Sequence, residues 1–181
     1  MKNIITITLV FLASHSYAQE ITPAILKKLN ASEYKLDFKN GDGVFIAKNQ
    51  KTKKWGMFQA WSINDVNEMI PMSYDSIHFF NVNAKFTGVW NNGKVGIFIS
   101  PWSFETGKQT VECLYDDYRS FNVERTIVDD IGRYNKYFTY LAVKKDGLWA
   151  WIDWMTGELK TEFLYNLEIE QMPYPDFEQE N

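Results

Sequence analysis

Three short stretches with the same order of apolar and polar residues recur along this chain. They are Lys54-Trp55-Gly56-Met57-Phe58, Lys94-Val95-Gly96-Ile97-Phe98 and, more loosely, Leu148-Trp149-Ala150-Trp151. An apolar run precedes each one, Val44 to Lys48, Phe86 to Trp90 and Phe138 to Val143. Their length and their β-branched and aromatic content predict strands. The polar turns between run and core copy are Asn49 to Lys53, Asn91-Asn92-Gly93 and Lys145-Asp146-Gly147. Asn-Gly and Asp-Gly tolerate the positive φ angles of tight hairpins, so the last two are strong hairpin signals. A second connection leads to a third strand in each unit: Ile70 to Asp75, Val111 to Asp116 and Thr161 to Asn166. The small residue in each core copy (Gly56, Gly96, Ala150) predicts close approach of another backbone or ring.

Ahead of these units the pattern changes. Ile21 to Leu29 predicts one short helix, capped by Thr22 and with Pro23 at its first position, where the missing N–H costs nothing. Ile25, Leu26 and Leu29 would face the core, and Ile21 would pack back on Leu26 as a staple. Tyr34 to Phe38 alternates and predicts a lead-in strand, followed by a turn at Asn40 to Gly43. The core copies lie 40 and then 54 residues apart, counted from Lys54 to Lys94 to Leu148. A polar insertion near Asn122 to Lys136 accounts for the longer interval. The expected fold class is therefore all-β, an array of three degenerate hairpin or meander units with one N-terminal helix. The units span 44–81, 86–122 and 138–166 within a domain covering 44–166, and 19–43 holds the helix and lead-in strand. The last unit lacks the late Phe-Asn of the others, so the N-terminal strand is a candidate to complete the final sheet. The pattern leaves open whether the array closes.

These units resemble the WG β-repeat family, whose repeats read Lys-Trp-Gly-aromatic, a Gly-Lys turn, then Ile-Pro-x-x-Tyr-Asp. The first unit carries Trp55-Gly56, Ile70-Pro71 and Tyr74-Asp75 together. The second has Val95 for Trp but keeps Gly96 and Tyr115-Asp116, and the third keeps Trp149 and Tyr165 with Ala150 and Asn166 substituted. The resemblance implies a β-rich scaffold that binds partners, with the third unit acting as a cap. It transfers no catalytic residue.

Composition narrows the reading. Lys2, the apolar run Ile4 to Ala13 and Ser16-Tyr17-Ala18 have the layout of a secretory signal peptide over residues 1–18, cleaved before Gln19. The run is too short for a membrane anchor, which needs roughly 20 apolar residues, so no integral membrane segment is expected after cleavage. The expected location is periplasmic or extracellular. Residues 167–181 carry five acidic and no basic side chains, along with Pro173 and Pro175, and read as a mobile acidic tail. The body from 19 to 166 is balanced, at 18 basic and 18 acidic residues. Such a surface gives no general attraction for nucleic acid.

Candidate chemistry is sparse. Cys113 is the single cysteine, and His78 is the sole histidine once the leader is removed. No multi-His or Cys-rich metal site can be built from these, and no cofactor is expected. Cys113 aligns with Met72 and Phe163 at a core-facing position. His78 aligns with Arg119, a position that tolerates a polar side chain. Asp116 and Asp117 are adjacent on a strand, so they point to opposite faces and cannot flank one scissile bond. Asp75, Asp116 and Asn166 recur in register, which predicts a turn-stabilising role. Trp61, Trp102 and Trp154 recur in the second connection and are candidates for a contact surface; the competing reading has each indole covering its own unit's core. The leading expectation is an exported, non-enzymatic binding protein that engages a protein partner, in an immunity-type or cell-envelope adaptor role. The alternative is carbohydrate binding on the loop tryptophans.

Overall fold

The computed structural model describes residues 21–36, 43–80, 85–99 and 107–166. Residues 1–18 read as a leader, the acidic tail, the end of the lead-in strand with most of the turn expected at Asn40 to Gly43, and Trp102 lie outside these residues. Helix α1 (Pro23–Lys28) forms where the sequence places it: the Thr22 hydroxyl accepts the Ile25 N–H at 3.4 Å, and Pro23 opens the first turn. Lys27 and Lys28 in the last turn favour the negative end of the helix dipole.

Among the described residues eleven strands follow in three antiparallel sheets, so the all-β expectation holds. The first sheet has the order β1 (Ala31–Leu36), β2 (Val44–Asn49), β3 (Trp55–Ala60), β4 (Val66–Tyr74). The second is β5 (Ser76–Ile77), β6 (Phe86–Asn91), β7 (Lys94–Ile99), β8 (Lys108–Tyr115). The third is β9 (Asp117–Asp129), β10 (Gly132–Lys145), β11 (Leu148–Ile152), with β10 central. The hairpin turns behave as predicted: Asn92 and Gly93 sit at φ 53° and 74°, Asp146 and Gly147 at 52° and 85°.

Four expectations need correction. The lead-in strand pairs with β2 in the first sheet, not with the last sheet. It follows α1 directly, and the helix lies on that sheet. Residues 76–77, read as the end of the first unit, belong to the second sheet, where Ile77 pairs with Val89. The chain thus changes sheet at Asp75 and again at Asp116. The polar stretch near 122–136 is a long hairpin, in which β9 and β10 stay paired from Asp117/Lys144 out to Asp129/Gly132. Thr161 to Asn166 forms no strand: it meets β11 at the isolated bridge Trp149 to Tyr165, and Leu159 just before it makes a second isolated bridge to Ile152. The interruption has a cause: the Thr161 hydroxyl, not a backbone carbonyl, accepts the Trp151 N–H at 2.9 Å.

The layers stack in chain order because each sheet is apolar on both faces. Ile21 and Ile25 cover Phe45, Ala47, Phe58 and Ala60 on the outer face of the first sheet. Its inner face, with Trp55, Met57, Ile70 and Tyr74, packs on Ile77, Val89 and Phe98 of the second. Phe86, Ile97, Ile99 and Val111 then meet Leu141, Val143, Ile152 and Trp154. The far face of the third sheet gathers Phe138, Tyr140, Trp149 and Trp151 with Phe121, Val123, Ile127 and Tyr165.

The glycines of the core copies have a specific cause. A Cβ on Gly96 would lie 2.4 Å from the Val111 carbonyl oxygen, and one on Gly56 2.8 Å from that of Ile70. At both places the third strand slips register, between Trp55 and Met57 and between Val95 and Ile97, so its backbone leans over the glycine. Beside Ala150 no third strand is formed, and a methyl group is accommodated there.

Candidate functional site

Two of the three recurring tryptophans, Trp61 and Trp154, are among the described residues, and they do not share a face. Trp61 is 54% exposed, whereas Trp154 is 1% exposed. Trp154 therefore belongs to the core between the second and third sheets, with its ring 5.5 Å from that of Phe86 and Lys85 Nζ 6.0 Å from its centroid. Register explains the difference. Counted from the first Trp of each core copy, Trp61 is six residues beyond Trp55, but Trp154 is five beyond Trp149. Ala60, also fully buried, is the true counterpart of Trp154, and half-exposed Met155 that of Trp61. An offset of one residue reverses the side of a strand.

Trp61 stands on a tight turn joining β3 to β4. Its N–H donates to the Asp65 carbonyl at 3.0 Å. The Ser62 hydroxyl accepts the N–H groups of Asn64 and Asp65 at 3.2 and 3.1 Å. Lys28 Nζ donates to the Ile63 carbonyl at 2.8 Å, tying the turn to the end of α1. Ile63 beside it is 44% exposed. A large indole and a branched aliphatic side chain are thus presented from a backbone already fixed by these four hydrogen bonds. Fixing the backbone beforehand lowers the entropy lost on contact.

The ionisable residues singled out by the sequence serve the stacking of sheets. Lys54 Nζ donates to Asp75 Oδ1 at 2.7 Å, and Asp75 Oδ2 accepts the Asn92 N–H at 2.7 Å. Asp75 at the end of one sheet thereby caps the hairpin turn of the next. Lys94, Asp116 and Asp146 repeat the arrangement one sheet further on: Asp116 is paired with Lys94 and accepts the Asp146 N–H at 2.8 Å. The Lys hydrogen bond first, and the turn N–H second, hold each carboxyl below the usual carboxylate range. Leu148 and Asn166 stand at the corresponding positions of the third unit. Tyr74 completes the first junction, donating to Gln109 Oε1 at 2.8 Å from its place in the core. Tyr115 packs against Phe163 at 6.0 Å, with burial raising its hydroxyl pKa.

Cys113 packs against the core between the first two sheets, with its thiol donating to the Val89 carbonyl at 3.4 Å. Burial pushes that thiol up, away from the thiolate a nucleophile needs. The His78 ring packs against that of Trp90 in a tilted contact, with centroids 4.2 Å apart, and lies 6.5 Å from that of Tyr118. Burial drives its imidazole towards the neutral form, opposed by the charge of Asp117. Among the described residues, no group of three or more His, Cys, Asp or Glu side chains is placed to hold a metal ion. None of the described helices is long and apolar enough to cross a membrane.

The sequence reading missed the end of the β9/β10 hairpin. Val128 and Ile131 there are 76% and 90% exposed. Asp129 shapes the tip, accepting the Ile131 N–H and the Tyr134 hydroxyl, each at 2.9 Å. The signal was present in the alternation Phe121, Val123, Arg125, Ile127, which predicts a strand through the stretch read as insertion. No protein family, curated protein or solved structure matches the chain.

Proposed function

We propose that this chain is an exported, non-enzymatic binding protein, built on a WG-like β-repeat scaffold, that engages a protein partner through the Trp61 turn. The observation that carries the reading is the pairing of exposed Trp61 with exposed Ile63 on a turn held by Ser62 and Lys28. Rigid aromatic anchors beside an aliphatic side chain are the usual centre of a protein contact. Sugar recognition along a row of indoles would need Trp154 at the surface, and it is buried. A binding role rather than a catalytic one is supported by the structural duties of Asp75, Asp116 and Cys113. The leader-like first eighteen residues support export, to the periplasm or beyond.

A photo-crosslinking residue placed at Ile63 tests this in the source cells. The reading expects one dominant protein adduct that Trp61→Ala abolishes while the melting temperature falls by no more than about 4 °C. Adducts indifferent to Trp61→Ala, or selective retention on glycans instead, would count against it.

A further inference from the structure

Strand β9 forms one edge of the third sheet, paired on its other side with β10 along its full 13 residues. The two-residue turn Asp130-Ile131 closes on the pair Asp129/Gly132. In such a hairpin the closing pair exchanges backbone hydrogen bonds, and the pairs alternate from there. The odd-numbered residues of β9 thus spend their N–H and C=O groups on β10. Those of Ser120, Asn122, Glu124, Thr126 and Val128 point outward, and among the described residues no strand takes them. A long strand edge of this kind is a template for a further strand unless something blocks it.

We propose that β9 pairs antiparallel with β9 of a second copy of this chain, about a two-fold axis through Val123. Overlap and charge together select the register: centring on Val123 is the two-fold register that pairs all 13 residues of β9 with their counterparts, and the registers nearest to it oppose like charges. Centring the pair on Glu124 sets that carboxylate against itself, centring on Arg125 does the same to the guanidinium, and centring on Asn122 opposes Arg119 with Arg125. Centring on Val123 places Asn122 opposite Glu124, Ser120 opposite Thr126 and Tyr118 opposite Val128, each twice by symmetry. The only like charges then facing each other are Asp117 and Asp129, at the strand ends. The polar pair is prepared for the contact. Asn122 Oδ1 is engaged by the Thr139 hydroxyl at 2.9 Å, which turns its amide N–H groups to the neighbour. Glu124 Oε1 accepts from Asn135 Nδ2 at 2.9 Å, which leaves Oε2 to receive them. Charge disfavours the registers centred on Asn122, Glu124 and Arg125, and shorter overlap disfavours those beyond them. A single strand pair buries less than a standard interface of about 1,600 Å², so the dimer is a weak one that forms at micromolar concentrations or above.

The test is sedimentation velocity of the purified protein over a concentration series, with hydrogen exchange read at each end of it. The proposal expects a monomer–dimer equilibrium. The amides of Asn122, Glu124 and Thr126 slow as concentration rises, while Val123 and Arg125, already bonded to β10, do not change. Asn122→Glu, which opposes two carboxylates twice, weakens the dimer by about 5- to 30-fold. Adding Glu124→Lys to that variant restores it, a rescue that simple misfolding would not show. A protein that remains monomeric to about millimolar concentration, amide protection that ignores concentration, or a double variant no tighter than the single one overturns the proposal.

Discussion

Replacing Trp154 and Trp61 by alanine separates a core indole from a surface one. Trp154 is fully buried against Phe86, Val111, Leu141 and Ile152 at the junction of two sheets. A buried Trp removes about 150–250 Å² from water, which at about 25 cal/mol per Å² corresponds to roughly 4–6 kcal/mol of transfer free energy. Partial collapse of the site and the compactness of real unfolded chains reduce that figure, while the cavity left behind adds to it. The hydrogen bond from Thr110 Oγ1 to the Trp154 carbonyl, 2.7 Å, is made by backbone and survives truncation. Trp154→Ala is therefore expected to cost about 3–5 kcal/mol. Trp61 is more than half exposed, and its loss should stay within about 0.5–1 kcal/mol. Urea titrations of wild type and both variants, followed by far-ultraviolet circular dichroism, give the two values directly. At roughly 2–4 °C per kcal/mol for a domain of this size, the Trp154 variant should also melt some 6–20 °C lower. A Trp154→Ala cost below about 1 kcal/mol, or a Trp61→Ala cost of several, would refute the layered arrangement.

Gly96→Ala should destabilise by about 3 kcal/mol or more, because the new methyl meets the Val111 carbonyl at 2.4 Å and the Cys113 N at 2.9 Å. Gly93→Ala meets nothing within 4 Å and carries only the strain of φ 74°, about 1 kcal/mol; equal costs in thermal melts would show that the third strand does not lean on Gly96. Asp116→Asn should lower the melting temperature at neutral pH, and the gap to wild type should close in acid. The Asp116 pKa is depressed in the fold by Lys94 and the Asp146 N–H, so its contribution is complete above the unfolded carboxylate value near 4 and fades as pH falls through the folded value. A gap that widens in acid would contradict the capping of the Asp146 turn by the Asp116 carboxylate. Native Cys113 should react with iodoacetamide far more slowly than the unfolded protein does, since burial raises its pKa and shields it; equal rates would exclude its place between the sheets.

Much of the fold was legible in the sequence because its signals are local. Asn92-Gly93 and Asp146-Gly147 adopt the positive φ angles that their residue types announce, and Thr22-Pro23 starts the helix as written. The register of Asp75 and Asp116 pointed to a turn-stabilising role, and both carboxylates cap a hairpin turn. What could not be read was which hairpin: each aspartate caps the turn of the following sheet, a pairing set by the stacking of layers. Trp154 misled for a different reason. Its neighbours look like those of Trp61, but its count from the core copy differs by one, and in strands that count decides the face. The β9/β10 arm was read as an insertion because its residues are polar, although their alternation was intact. The lead-in strand joined the first sheet because α1 holds it there, a packing consequence invisible in a pattern of alternating residues.

The central claim is that the Trp61 turn is where this protein meets its partner, and the affinity of the crosslinked partner measures it most directly. Isothermal titration of that partner against wild type and Trp61→Ala should show binding weakened by about 30-fold or more, the loss of an anchor residue, with the melting temperature lowered by no more than about 4 °C. An affinity equal to that of wild type would place the contact elsewhere on the molecule and contradict the account.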